Sequence, residues 1–154
     1  MVGFREMSEA EFIAYKAFLI EDYARDIAQH VGMSDDEARN SAATRINDLL
    51  QHGRTTPGEL LYIVVKEETQ ESIGYLWCRI DQARRRAFIY DIEIHEAYRG
   101  KGYGKSTLDL LEAKLKALGM TTLGLHVFVQ NATAIRLYTQ QGYRTTGLDM
   151  QKDL

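Results

Sequence analysis

Apolar residues fall at helical spacing in two stretches near the start of the chain, Phe12, Tyr15, Leu19, Tyr23 and Ile27, then Ala38, Ala42, Ile46 and Leu49. Each set lines one face of a helix. Ser8 with Glu11, and Ser34 with Glu37, precede these stripes at the spacing of a capping box, and Asp35 and Asp36 add acids to the second helix's first turn, where the helix dipole favours them. Gly32 and Gly53 mark where the stripes stop. The period then changes. LLYIVV (60–65), SIGYLWCRI (72–80) and AFIYDIEI (87–94) are β-branched and aromatic runs separated by the polar connections EETQE and DQARRR, which predicts three successive antiparallel strands after a Pro57-Gly58 turn. Leu108, Leu111, Leu115 and Leu118 return to helical spacing and stop at Gly119. TLGLHVFV (122–129) is strand-like, Asn131 is an N-cap for ATAIRLYTQQ, and YRTTGLDM after Gly142 can supply a last strand.

A strand, helix, strand order from 87 to 129 requires a right-handed crossover that leaves its two strands parallel. The expected fold class is therefore α+β, a mixed and mostly antiparallel central sheet with helices. The length of 154 residues, with 45% hydrophobic and 27% charged residues, suits one domain over residues 1–154. Nineteen basic against twenty-two acidic residues leave a net charge of −3, so no basic footprint invites nucleic acid or an anionic membrane, and any anion site must be local. Cys78 is the only cysteine, which excludes an internal disulfide and a multi-cysteine metal site. His30, His52 and His95 have no partner at metal-ligand spacing, so no metal is expected. The first residues lack the pattern of a signal peptide, and no apolar run reaches the about 18 residues of a membrane span. A cytoplasmic protein is expected.

The local anion site is offered by YRGKGYGKS (98–106), between the strand ending near Ile94 and the helix carrying Leu108. Glycines at 100, 102 and 104 remove side chains where a helix begins, so backbone N–H groups can converge on one phosphate, aided by the helix dipole. Arg99, Lys101 and Lys105 add positive charge. Two other phosphate motifs do not fit. A Walker A loop needs four residues between its first glycine and the Gly-Lys pair, and a dinucleotide fingerprint needs a glycine where Lys105 stands. A phosphate-binding domain for another nucleotide is disfavoured on those spacings.

RGKGYG (99–104) resembles the R/Q-x-x-G-x-G/A pyrophosphate loop of the GNAT superfamily of N-acetyltransferases, and NATAIRLYTQQGY (131–143) is similar to its N-x-x-A-x-x-L-Y-x-x-x-G-F/Y signature. The element order matches that fold over essentially the whole chain, which implies a GNAT-like sheet with helices on both faces. The resemblance implies acetyl-CoA as cosubstrate, with its pyrophosphate in the loop Arg99, Gly100, Lys101, Gly102, Tyr103, Gly104 and Lys105. It places the pantetheine arm against the backbone of Ile92, Glu93 and Ile94. It implies transfer of the acetyl group to a primary amine by direct attack through a tetrahedral intermediate, with a backbone N–H near Ile94 facing the oxyanion.

Within the matched signature, Tyr138 stands seven residues after Asn131. Its phenol, with a reference pKa of about 10, keeps its proton at neutral pH and can pass it to the departing thiolate. Asn131 is both an N-cap and a candidate cofactor contact. The proton acceptor has several candidates. His126 lies five residues before Asn131, where some family members place a glutamate. Glu93 and Asp91 alternate with Tyr90, Ile92 and Ile94 and so face the other side of their strand. The acceptor is an amine on a small molecule or a peptide, walled by the first two helices and the Gln51–Glu59 loop. A homodimer is the default assembly. A non-catalytic acyl-CoA-binding regulatory module is the alternative from a different class.

Overall fold

The computed structural model describes residues 1–154, which divide into two compact units, Met1–Gly124 and Leu125–Leu154. The first unit opens with strand β1 (Val2–Glu6), followed by helices α1 (Glu9–Val31) and α2 (Asp35–Leu49), strands β2 (Glu59–Lys66), β3 (Ser72–Asp81) and β4 (Arg86–Ile94), helix α3 (Tyr103–Ala117) and strand β5 (Thr122–Leu125), whose last residue begins the second unit. The sheet order is β1-β2-β3-β4-β5. The first three pairings are antiparallel, and β5 joins a mixed sheet after the α3 crossover. The fold class matches the pattern of the sequence.

Local chemistry explains the helix ends. Ser8 accepts from the Glu11 N–H at 3.1 Å while Glu11 accepts from the Ser8 N–H at 2.9 Å, satisfying two donors that a helix start leaves without partners. Glu11 is also gripped by both guanidinium nitrogens of Arg5 at 2.8 and 2.9 Å, and this pair, more than the cap, holds its carboxyl at about 2. Helix α1 ends at Gly32, whose φ of 74° is left-handed. At α2 only half of the expected box forms: Ser34 accepts from the Glu37 N–H, while the exposed Glu37 side chain has water as a competing partner.

The alternation along β2 sets the layers. Leu61, Ile63 and Val65 pack with Phe12, Tyr15 and Leu19 of α1, Ile46 of α2 and Trp77 of β3 in one buried cluster. Tyr62 points the other way, where the Lys114 ammonium of α3 lies 5.5 Å over its ring. Leu108 and Leu111 of α3 are fully buried, each contributing about 1.5–3 kcal/mol by leaving water.

Two corrections follow from backbone geometry. Along β4 the register passes from Trp77 opposite Asp91 to Cys78 opposite Ile89, so Tyr90 is an extra, bulged residue. The bulge brings Tyr90 onto the face of Asp91 and Glu93, its ring stacked on Trp77 at 4.6 Å. Strict alternation, which sets Tyr90 opposite those two acids, does not hold. The strand expected over 122–129 is confined to Thr122–Leu125, and the segment 143–150 forms none. A strand exists only where a ladder partner takes its N–H and C=O groups, and residue pattern cannot supply the partner.

Gly74 of β3 is the position with least room, because a Cβ there would lie 2.1 Å from the backbone oxygen of Glu93. Gly74→Ala is expected to destabilise the fold by about 1–3 kcal/mol through enforced backbone displacement, measured by urea unfolding. A loss under about 0.5 kcal/mol, the range of a neutral surface change, would show that the β3–β4 ladder yields freely.

Candidate active site

The glycine stretch is a turn built for a helix start. After Ile94 the chain makes a short 3-10 turn over Glu96–Tyr98. It then uses left-handed conformations at Gly100 (φ 72°) and Gly102 (φ 82°), the latter as the N-cap of α3 with no side-chain cap. A Cβ at either glycine meets nothing within 4 Å, so glycine is required there by φ and not by space. The first intrahelical bond runs from Ser106 N to Gly102 O at 3.1 Å. The N–H groups of Tyr103, Gly104 and Lys105 therefore precede the ladder, as the first donors of any helix do, and stand where an anion can accept from them.

The basic side chains around the turn are held by partners. Arg99 donates through Nε to the Ile94 carbonyl at 2.8 Å and through Nη2 to the Glu93 carboxylate. Lys105 reaches Asp109 at 2.8 Å, and Lys101 donates to the Ala97 carbonyl at 3.2 Å. Glu93, Ile94 and Arg99, named separately by the sequence, thus form one linked group.

The edge of β4 beyond β3 is only partly paired. Thr121 N donates to Arg85 O at 2.8 Å, and Gly124 lies beside the Phe88 ring. Moving up β5 thus moves up β4, and the two strands run parallel. Four residues starting beside Arg85 end their ladder short of Ile92. On that side the Ile92–Ile94 backbone has no strand partner, leaving groups that an amide-bearing ligand can pair.

On the α1 face of the sheet, the buried Tyr15 donates to Asp91 Oδ2 at 2.7 Å. Tyr75 packs against Tyr15 at 4.6 Å, and His95 meets Tyr75 edge-on at 5.0 Å. Burial pushes the Asp91 carboxyl up to about 7, the nearby charges of Glu93 and Asp22 push the same way, and the Tyr15 hydrogen bond opposes them. Sequence reasoning names Asp91 but not Tyr15, whose place in an apolar helical stripe marks it as core. Cys78 is fully buried, and burial pushes its thiol up to about 12, an inert group. A hollow of about 200 Å³ is lined by Arg54, Thr55 and Glu59 of the loop expected to wall the acceptor. A wider one of about 560 Å³ runs along α2 from Asn40 to Leu49 and shares no residue with the glycine turn.

The second unit carries the remaining predicted residues. Helix α4 (Ala132–Gln140) is capped by Asn131, whose Oδ1 accepts from Ala134 N at 3.2 Å. Tyr138 lies in its last turn, with the Tyr143 ring at 5.6 Å and Tyr143 N donating to Tyr138 O at 3.0 Å. His126 follows the end of β5, where the sequence places it within the strand, and its ring meets Phe128 edge-on at 4.9 Å. The predicted residues divide accordingly: the glycine turn, Ile92, Glu93 and Ile94 in the first unit, and His126, Asn131 and Tyr138 in the second.

The sequence profile of the Acetyltransferase (GNAT) family matches residues 18–143. The uncharacterized N-acetyltransferases YycN and YdgE of Bacillus subtilis (strain 168) are 33% and 30% identical to the chain, over 96% and 97% of its length and 96% of theirs. The crystal structure of Bacillus subtilis YycN aligns with a TM-score of 0.93 at 32% identity, covering 100% of this chain and 99% of that one. The PaiA N-acetyltransferase of Thermoplasma acidophilum, solved with coenzyme A, shares the fold with a TM-score of 0.69 at 16% identity, covering 97% and 93%. On a profile spanning most of its length and relatives matched almost end to end, the chain belongs to the acetyltransferase (GNAT) family and is an acetyltransferase.

Proposed function

We propose that the chain, as one domain over residues 1–154, transfers the acetyl group of acetyl-CoA to a primary amine. The observation that carries this reading is the turn at Gly100 and Gly102, which sets the first N–H groups of α3 free of the helical ladder within the R-x-x-G-x-G pattern. The pyrophosphate is held by those N–H groups with Lys101 and Lys105 beside them. The pantetheine amides pair with the β4 edge at Ile92–Ile94. Coenzyme A bound to a protein of the same fold supports the choice of donor. No helix is long and apolar enough to cross a membrane, and a cytoplasmic setting belongs to the proposal.

The amine nitrogen attacks the thioester carbonyl carbon, and a backbone N–H near Ile94 receives the developing oxyanion. The C–S bond then breaks, the nitrogen's proton passes to a base, and the Tyr138 hydroxyl donates its proton to the leaving sulfur. Three groups are candidates for the base. Glu93 is engaged by Arg99, and His126 directly follows β5. We place Asp91 first, because its part-buried carboxyl, oriented by Tyr15, is held near neutrality. The acceptor is an amine on a small molecule or a peptide.

Calorimetric titration with acetyl-CoA, with ATP as control, tests the donor. Binding of acetyl-CoA alone supports the reading, and absence of binding to folded protein removes it. Gly102→Val forces a β-branched residue to a φ of 82° and is expected to weaken acetyl-CoA binding at least about tenfold, or about 1.4 kcal/mol; wild-type affinity would exclude the turn from the site. Tyr138→Phe is expected to lower kcat about a hundredfold with a smaller change in donor affinity, and full turnover would reduce Tyr138 to packing. With an accepted amine in hand, the rate should rise with pH toward a plateau above about 7, the value of Asp91. Asp91→Asn is expected to abolish that limb, and its persistence would return the base role to His126 or Glu93. The same group titrates higher folded than in the unfolded chain, at about 3.9. Its effect on stability is therefore a loss as pH rises from about 4 to about 7, which the asparagine variant would lack.

A further inference from the structure

The turn leading into the glycine stretch is tied to the far end of the β2–β3 hairpin. Tyr98 donates its hydroxyl to the Glu71 carboxylate, which also takes the Lys66 ammonium at 2.9 Å. Lys66 lies 4.8 Å over the Tyr98 ring and Lys101 lies 6.0 Å over it, while the Tyr103 ring stands edge-on at 6.4 Å. Tyr98 therefore touches Lys101 and Tyr103, the two residues that flank Gly102. Its anchor is itself held. Lys66 N donates to Glu71 O at 3.0 Å and Gln70 N to Lys66 O at 2.7 Å, closing the hairpin tightly. Hydrogen bonds from Tyr98 and then Lys66 keep the Glu71 carboxyl below its usual range, so it is a charged anchor at neutral pH.

Glycine gives the turn its shape and also its freedom. Gly100 and Gly102 lose more backbone entropy on ordering than any other residue would, and an anion site whose N–H groups wander binds weakly because binding must order them. His95 N is tied to Ile73 O at 2.8 Å, and beyond it the turn's backbone bonds are short-range, from Tyr98 N to His95 O and from Arg99 N to Glu96 O. Side-chain ties from this stretch to its surroundings, those of Arg99 to Ile94 and Glu93 and that of Tyr98 to Glu71, therefore contribute to how much of its order exists before the ligand arrives. We propose that Tyr98, Glu71 and Lys66 form a strut that holds the donor turn in its binding shape, making Tyr98 and Glu71 positioning residues for the pyrophosphate of the donor. The inference rests on the reading of the turn as the acetyl-CoA site.

The test separates the two. Acetyl-CoA and S-acetylpantetheine, which lacks the pyrophosphate, are titrated into the wild-type chain, Glu71→Gln, Tyr98→Phe and the double variant. Tyr98→Phe keeps the ring and removes only the hydroxyl. Each single variant is expected to bind acetyl-CoA about three- to tenfold more weakly, about 0.7–1.4 kcal/mol, with S-acetylpantetheine affinity unchanged. The double variant should be no weaker than the weaker single one, because both remove one bond. Undiminished acetyl-CoA affinity in the variants overturns the strut, as does an equal loss for both donors, which would mark general loosening, or additive losses in the double variant. Failure of the wild-type chain itself to bind acetyl-CoA overturns the donor reading beneath it.

Discussion

Strand β4 is unequally paired on its two edges, and the proposed donor site depends on that inequality. Toward β3 it has ladder partners from Arg86 to Ile94, interrupted only at the Tyr90 bulge. Toward β5 it has a neighbour of four residues that begins beside Arg85. Backbone N–H and C=O groups inside a sheet need partners, so a short β5 leaves the C-terminal end of β4 with backbone groups to offer a ligand. The first-turn N–H groups of α3 follow directly along the chain. In the function proposed above, sheet edge and helix start supply two kinds of backbone recognition in succession, one for amides and one for phosphates.

The bulge shapes the chemistry on the α1 face. One extra residue places Tyr90, Asp91 and Glu93 on the same side of β4, over the aromatic layer of Tyr15, Tyr75 and Trp77. Asp91 and Glu93 are two residues apart on one strand, yet their surroundings divide them. Asp91 is directed toward a buried phenol at 2.7 Å in an apolar setting, and Glu93 is paired with the guanidinium of Arg99. A carboxylate facing a neutral donor in low dielectric retains a tendency to take up a proton, and one joined to a cation serves as an anchor. Like acids acquire different surroundings from what the fold puts beside them.

Anchoring recurs where the backbone is least constrained. The two left-handed glycines of the turn before α3 are preceded by Tyr98 and Arg99, each tied to a carboxylate on a neighbouring strand or hairpin. Exposed ion pairs contribute little to global stability, about 0–1 kcal/mol. In the strut proposed above, such ties act instead on the conformational freedom of a short segment, where a similar amount of free energy would change occupancy severalfold.

Pattern in the sequence determined the two N-terminal helices with their caps, the three-strand meander, the crossover helix, the Asn131 cap and the glycine turn, because hydrophobic period, capping chemistry and glycine placement are local properties of the chain. The two motifs that carry the family were equally local. Tertiary structure alone decided the rest. The bulge at Tyr90 is an excess of one residue between two ladders, visible only when both strands are paired. The length of β5 and the absence of a strand over 143–150 depend on partners distant in sequence. The bonds of Tyr15 to Asp91 and Tyr98 to Glu71 join residues 76 and 27 positions apart. Spacing along a chain encodes which face a side chain lies on, and only the folded chain determines which distant group meets it there.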